Sequence, residues 1–129
     1  MAKVLGVGGV FFKSKDPQAL MKWYQSTLGV PADSPDYATF FAATMPSGGC
    51  TVFSPFKDST DYFAPSSSPF MFNLIVDDLD GALHQVSEAG AALAGEVQSY
   101  DYGRFGWFID PDGNKVELWE PAEAPPPTA

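Results

Sequence analysis

Glu117 is the residue of this chain best placed to do chemistry. It sits in Lys115-Val116-Glu117-Leu118-Trp119, where alternation puts Val116 and Leu118 on one face and Lys115, Glu117 and Trp119 on the other. A carboxylate between a cation and a tryptophan has three ordinary uses. Shielded from water, it serves as a general base or acid; it neutralises a cationic ligand; or it forms a structural salt bridge, here with Lys115 or Arg104. Few other side chains compete with it. The single cysteine, Cys50, excludes an internal disulfide and a multi-cysteine zinc site, and with no basic neighbour it reads as an inert buried thiol. The single histidine, His84, falls off the apolar stripe of its helix and is expected at the surface.

The element that positions Glu117 is a hairpin. Phe105 to Ile109 is apolar and aromatic, as strands prefer, and Asp110-Pro111-Asp112-Gly113-Asn114 is dense turn chemistry. Around it, 129 residues, about 45% of them apolar, suit one domain with its own core. No apolar run approaches the roughly 20 residues needed to span a bilayer, and the start shows no secretory signal. A formal charge of −9 argues against nucleic acid as a partner and permits a cationic one. A cytoplasmic protein with no membrane partner is expected.

Read in order, Val4 to Ser14 is a candidate strand. Asp16-Pro17 opens a helix whose apolar face is Leu20, Trp23, Tyr24 and Leu28, and Gly29 closes it. Strands are expected at Tyr37 to Ala43 and Cys50 to Pro55, with a third hidden near 29–37. Residues 57–69, rich in Ser, Asp and Pro, read as a linker in which Tyr62 and Phe63 have something to pack on. The plan then repeats: a strand over Phe70 to Val76, a helix capped by Asp78 with Leu79, Ala82, Leu83 and Val86 inward, a weaker strand over Ala91 to Gln98, and the closing hairpin. The Pro- and Ala-rich end, 122–129, is expected to be disordered.

The halves match in detail. Phe12 to Asp16 lies over Leu74 to Asp78 at an offset of 62, and Thr51 to Pro55 over Glu117 to Pro121 at an offset of 66. Such self-similarity marks a duplicated unit. The expected fold is α+β: two βαβββ modules in tandem, about 4–56 and 70–121, forming a curved mixed sheet around a cleft within one domain, 1–121. Clefts of that kind bind ligands.

The repeat, the Asp-Pro…Trp-Tyr…Leu-Gly pattern at 16–29, Val-Asp-Asp-Leu-Asp at 76–80 and Asp-Pro-Asp-Gly-Asn-Lys-Val-Glu-Leu at 110–118 together resemble the vicinal oxygen chelate superfamily. That group includes glyoxalase I, extradiol dioxygenases, fosfomycin-resistance enzymes and bleomycin-resistance proteins. The resemblance covers roughly residues 4–121. It implies metal-ligand positions on the first and last strands of each half, which here hold Gly9, Thr51, Met71 and Glu117. Only Glu117 is a competent ligand for a hard or borderline divalent ion, so no metal and no cofactor is expected.

If Glu117 and Met71 face the cleft, alternation adds Lys115, Trp119, Asn73 and Ile75, and the repeat adds Gly9, Phe11, Lys13, Thr51 and Phe53. Arg104 and Tyr102, from the loop 101–106, are placed to reach its rim. The expected binding set is therefore Phe11, Thr51, Phe53, Met71, Asn73, Arg104 and Trp119, with Glu117 as the candidate catalytic group. The resemblance then implies a metal-free small-molecule-binding protein of the bleomycin-resistance type that sequesters an aromatic or cationic ligand, with stacking on Trp119 or Trp107. The alternative is a glyoxalase-like lyase or isomerase, or a dioxygenase-like enzyme, using Glu117 as base or metal ligand. A third reading is an assembly module. The resemblance also implies a homodimer.

Overall fold

The computed structural model describes residues 1–31 and 33–122. Asp16 accepts a hydrogen bond from the Ala19 backbone N–H at 3.1 Å and starts helix α1, Pro17–Leu28. Gly29, left-handed at φ +67°, ends it. Asp78 caps α2, Leu79–Glu88, in the same way through the Gly81 N–H at 3.1 Å. The Leu79 N–H, also at that helix start, donates to Glu120 at 3.0 Å. Both helices and both caps lie where the sequence pattern puts them.

Four strands follow from the second half: β1 (Phe72–Ile75), β2 (Gln98–Tyr100), β3 (Gly103–Ile109) and β4 (Lys115–Pro121). They form an open mixed sheet in the order β1-β4-β3-β2, with β1 parallel to β4 and the other pairs antiparallel. β3 and β4 pair over their full lengths, from Gly103 opposite Pro121 to Ile109 opposite Lys115. The turn between them is built on Asp110, one carboxylate oxygen of which accepts from the backbone N–H groups of Asp112 and Asn114, both at 2.9 Å.

Alternation divides the sheet. Phe108, Val116 and Leu118, fully buried, face the helices and meet Leu20, Tyr24, Leu79, Ala82 and Val86 in the core. Phe105, Trp107, Lys115, Glu117 and Trp119 face the other way, across from Asn73 and Ile75 of β1. The helices therefore cover one face and leave the Glu117 face to the segment 57–69.

The fold class is α+β, as expected, but the tandem arrangement is not seen. Among the described residues the first half contributes one helix and no strand. Residues 4–14, 37–43 and 50–55 carry strand-like composition, yet they make no ladder, and 42–44 form one short 3₁₀ turn instead. Apolar alternation signals a pleated, half-buried surface; it does not supply the neighbouring edge that a strand needs. These segments keep much apolar surface in water: Phe11 is 95% exposed and Phe53 87%. The expected strand over 91–98 is also shorter, because Gly95 at φ +104° turns the chain between the single bridge Leu93–Phe108 and β2. Cys50, expected inside, is exposed, since the strand that was to bury it does not form. Residues 123–129, read as a disordered tail, lie outside the described residues.

Candidate functional site

Glu117 ends up at the centre of a hydrogen-bonded cluster. The Tyr62 hydroxyl donates to Glu117 Oε2 at 2.7 Å, and the Trp107 indole N–H donates to the same oxygen at 2.9 Å. The Asn73 amide donates to Oε1 at 2.7 Å. Hairpin pairing places Trp107 directly opposite Glu117, and parallel pairing places Asn73 there from the other side. Tyr62 arrives from the segment 57–69, so the stretch read as a linker is a strap across the sheet. Lys115 fastens it: Nζ donates to the Tyr62 carbonyl at 2.7 Å and lies 5.2 Å from the Tyr62 ring centre and 5.7 Å from that of Trp107.

The electrostatics are self-consistent. Burial, then the hydrogen bond to Glu117 and its charge, push the Tyr62 hydroxyl above the usual tyrosine range, so it remains a donor. The three groups around the carboxylate all present hydrogens to it. An aromatic shelf continues toward the far end of the sheet: Phe105 and Trp119 stack at 6.0 Å and 4°, and Tyr100 and Tyr102 stack at 5.3 Å and 5°. The Trp119 indole N–H donates to the Tyr102 carbonyl at 3.0 Å. Gly103 makes room for this packing. Its φ is +137°, and a Cβ there would lie 2.5 Å from Trp119 Nε1 and collide with the Glu120 carbonyl.

The expected site residues divide into two groups. Asn73, Glu117 and Trp119 share one face as alternation required, and Met71 precedes β1 half-buried. Arg104 does not join them: it projects from the helix face, where its guanidinium meets Asp80 at 2.9 Å and Glu120 at 3.6 Å. An even residue of β3 cannot share a face with Trp107. Thr51, Phe11 and Phe53 stand exposed on the unpaired first-half segments, outside the Glu117 cluster. The salt bridge considered for Glu117 is not formed with either cation; its partners are neutral donors.

Sequence reasoning missed Tyr62 as the partner of Glu117. The available signal was an aromatic pair inside a Ser/Asp/Pro stretch. It also missed the clamp behind the turn. There the Tyr24 hydroxyl donates to buried Asp110 at 2.8 Å, and Ser68, at the other end of the strap, donates to Asn114 at 2.8 Å.

A family model for a glyoxalase-like domain matches residues 9–119, and with it both halves of the chain. The chain belongs to the glyoxalase-like family. That places it in the glyoxalase/bleomycin resistance/dioxygenase, or vicinal oxygen chelate, superfamily. Among solved structures, a protein from the mobile metagenome of V. Pseudocholerae is similar in fold, with 19% identity over 94% of this chain and 100% of that one and a TM-score of 0.52. A superfamily member from Sphaerobacter thermophilus DSM 20745 is 23% identical over 83% and 90%, with a TM-score of 0.47. TnmS3, an antibiotic binding protein from Streptomyces sp. CB03234, is 33% identical, but the match spans 42% of this glyoxalase-like chain and 45% of that one, at a TM-score of 0.37. This chain thus spans less than half the length of TnmS3. No protein of curated function matches the sequence.

Metals serve some members of the superfamily, and the donor set here does not fit one. An indole N–H has no lone pair to offer, and Tyr62 and Asn73 point hydrogens, not oxygens, at Glu117. Among the described residues no three His, Cys, Asp or Glu side chains gather as ligands.

Proposed function

We propose that this glyoxalase-like protein binds a small aromatic or cationic molecule without a metal, on the sheet face that carries Glu117, Trp107, Phe105 and Trp119. The observation that carries the reading is the Glu117 carboxylate held on an aromatic face by three neutral donors. Stacking on the rings supplies non-polar contact, and the carboxylate supplies a fixed negative charge that orients a donor or cation. Binding chemistry needs no more than this.

The enzyme reading has less support. Three of the four acceptor positions of the Glu117 carboxylate are taken by Tyr62, Trp107 and Asn73, which suits holding and orienting a ligand more than shuttling protons. The metal-assisted chemistry of relatives needs ligands that these positions do not hold.

The exposed apolar residues of the first half support a homodimer in which a second copy covers them. Large apolar side chains left in water are suited to burial against a partner, and Val4, Leu5, Phe11, Phe40, Phe41 and Phe53 are all exposed here. A cytoplasmic setting accords with an exposed free cysteine. Among the described residues no helix is long and apolar enough to cross a membrane.

The test is a tryptophan-fluorescence titration of chelator-treated protein with proflavine, a planar aromatic cation, and with 2-naphthol. Saturable quenching by either, weakened in a folded Glu117→Gln variant, is the expected result. Absence of saturation with both would overturn the reading. Sedimentation equilibrium should give the mass of two chains, and a single-chain mass would refute the dimer.

A further inference from the structure

We infer that the seat now filled by the Tyr62 side chain is a subsite for a neutral hydroxyaryl group, and that Tyr62 is its internal stand-in. This rests on the binding reading above and narrows it to a ligand class.

The seat specifies its occupant from three sides. At one end, Glu117 Oε2 accepts a hydrogen bond from the hydroxyl at 2.7 Å. Along one wall, Trp107 meets the ring edge-on, with centres 6.3 Å apart and planes at 84°. Over the ring face, Lys115 Nζ stands 5.2 Å from the centre. A cationic ring in this seat would be repelled by Lys115, and an aryl carboxylate would meet Glu117. An electron-rich neutral ring with a hydroxyl opposite its point of attachment satisfies all three.

Displacing Tyr62 leaves the sheet intact. The residue lies in no strand or helix, is 39% exposed, and is held by its hydroxyl, its carbonyl, its backbone N–H on Thr60 and its ring contacts with Phe56, Phe63 and Trp107. The strap has a separate attachment at Ser68–Asn114, so it need not come away as a whole. A ligand therefore competes with one side chain, and its apparent affinity falls by the fraction of time that the seat is free.

The test uses p-cresol, the tyrosine side chain as a free molecule, with toluene as its matched control lacking the hydroxyl. Both are titrated into the full-length Tyr62→Ala variant while the Trp107 indole N–H is followed by NMR. We expect p-cresol to bind on the order of tenfold or more tightly than toluene, because only it restores a hydrogen bond to a charged acceptor. Adding Glu117→Gln should reduce the preference, because a neutral amide oxygen accepts more weakly than a carboxylate, and the wild type should bind p-cresol more weakly than Tyr62→Ala. Equal binding of the two molecules, no binding by folded Tyr62→Ala, or a preference undiminished by Glu117→Gln would overturn the inference. If Tyr62→Ala does not fold, the wild type decides: p-cresol, and not toluene, must shift both the Trp107 indole N–H and the Tyr62 ring signals. Should p-cresol fail while proflavine still quenches wild-type tryptophans saturably, this subsite falls and the broader binding reading stands. Failure of both ligands removes both.

Discussion

Replacing Tyr24 with Phe removes one hydroxyl from the interior and keeps the ring that packs against Trp23 and Phe108. The hydroxyl donates at 2.8 Å to Asp110, a residue only 4% exposed, and so ties α1 to the turn that sets the β3–β4 register. A hydrogen bond to a charged partner contributes about 1.5–3 kcal/mol. Asp110 keeps three other donors, the backbone N–H of Asp112, the backbone N–H of Asn114 and the Asn114 amide, which holds the loss to about 2 kcal/mol. For a chain of this length that corresponds to a fall in Tm of about 8 °C. Urea unfolding followed by circular dichroism gives the free-energy difference directly. The same clamp has a pH signature. Burial first, and then the charge of and hydrogen bond to Asp110, raise the Tyr24 hydroxyl far above the usual tyrosine value. The folded protein keeps this proton at pH values where the unfolded chain, ionising near about pH 10, has lost it. The stabilisation is thus complete below about pH 10 and declines as pH rises further, by up to about 1.4 kcal/mol per unit. Tyr24→Phe should be less stable at neutral pH and should lose less on going alkaline. A variant within about 0.5 kcal/mol of wild type, the size of an ordinary surface change, would refute the clamp.

Other outcomes follow from the same geometry. Gly103→Ala forces a Cβ against Trp119 Nε1 and the Glu120 carbonyl, and should cost about 1–3 kcal/mol of stability by urea unfolding while releasing the Trp119–Tyr102 hydrogen bond. Arg104→Ala, on the helix face, should leave the affinity for any ligand of the Glu117 face unchanged in a fluorescence titration, because its partners are Asp80 and Glu120. Glu117→Gln should keep the far-ultraviolet circular dichroism of the wild type, since a glutamine oxygen still accepts from Tyr62 and Trp107, while ligand affinity drops.

How much of this was legible in the sequence differs between the halves. Both helices were readable because their signals are local: Asp16 and Asp78 as caps, and apolar residues at helical spacing. The β3–β4 hairpin was readable because turn chemistry and alternation agree, and that agreement also put Lys115, Glu117 and Trp119 on one face. The first-half strands were misjudged for the opposite reason. Their composition is strand-like, but pairing is a long-range property that residues 4–14 or 50–55 cannot declare by themselves. Arg104 was misplaced because it was treated as a loop residue; as a member of β3, its parity settles its face. Trp107 as the partner of Glu117 was within reach, since a five-residue turn centred on Asp112 sets the two opposite each other. Tyr62 was not, because the path of a strap across a sheet depends on side-chain ties such as Lys115 to the Tyr62 carbonyl.

The central claim is that ligand binding at the Glu117 face needs no metal, and one measurement addresses it most directly. Chelator-stripped protein is titrated with proflavine and 2-naphthol by tryptophan fluorescence, first in excess chelator and then with added zinc or nickel. The account predicts saturable quenching with the same affinity under both conditions and weaker binding in Glu117→Gln. Binding that appears only after metal is added would contradict it and make Glu117 a metal ligand.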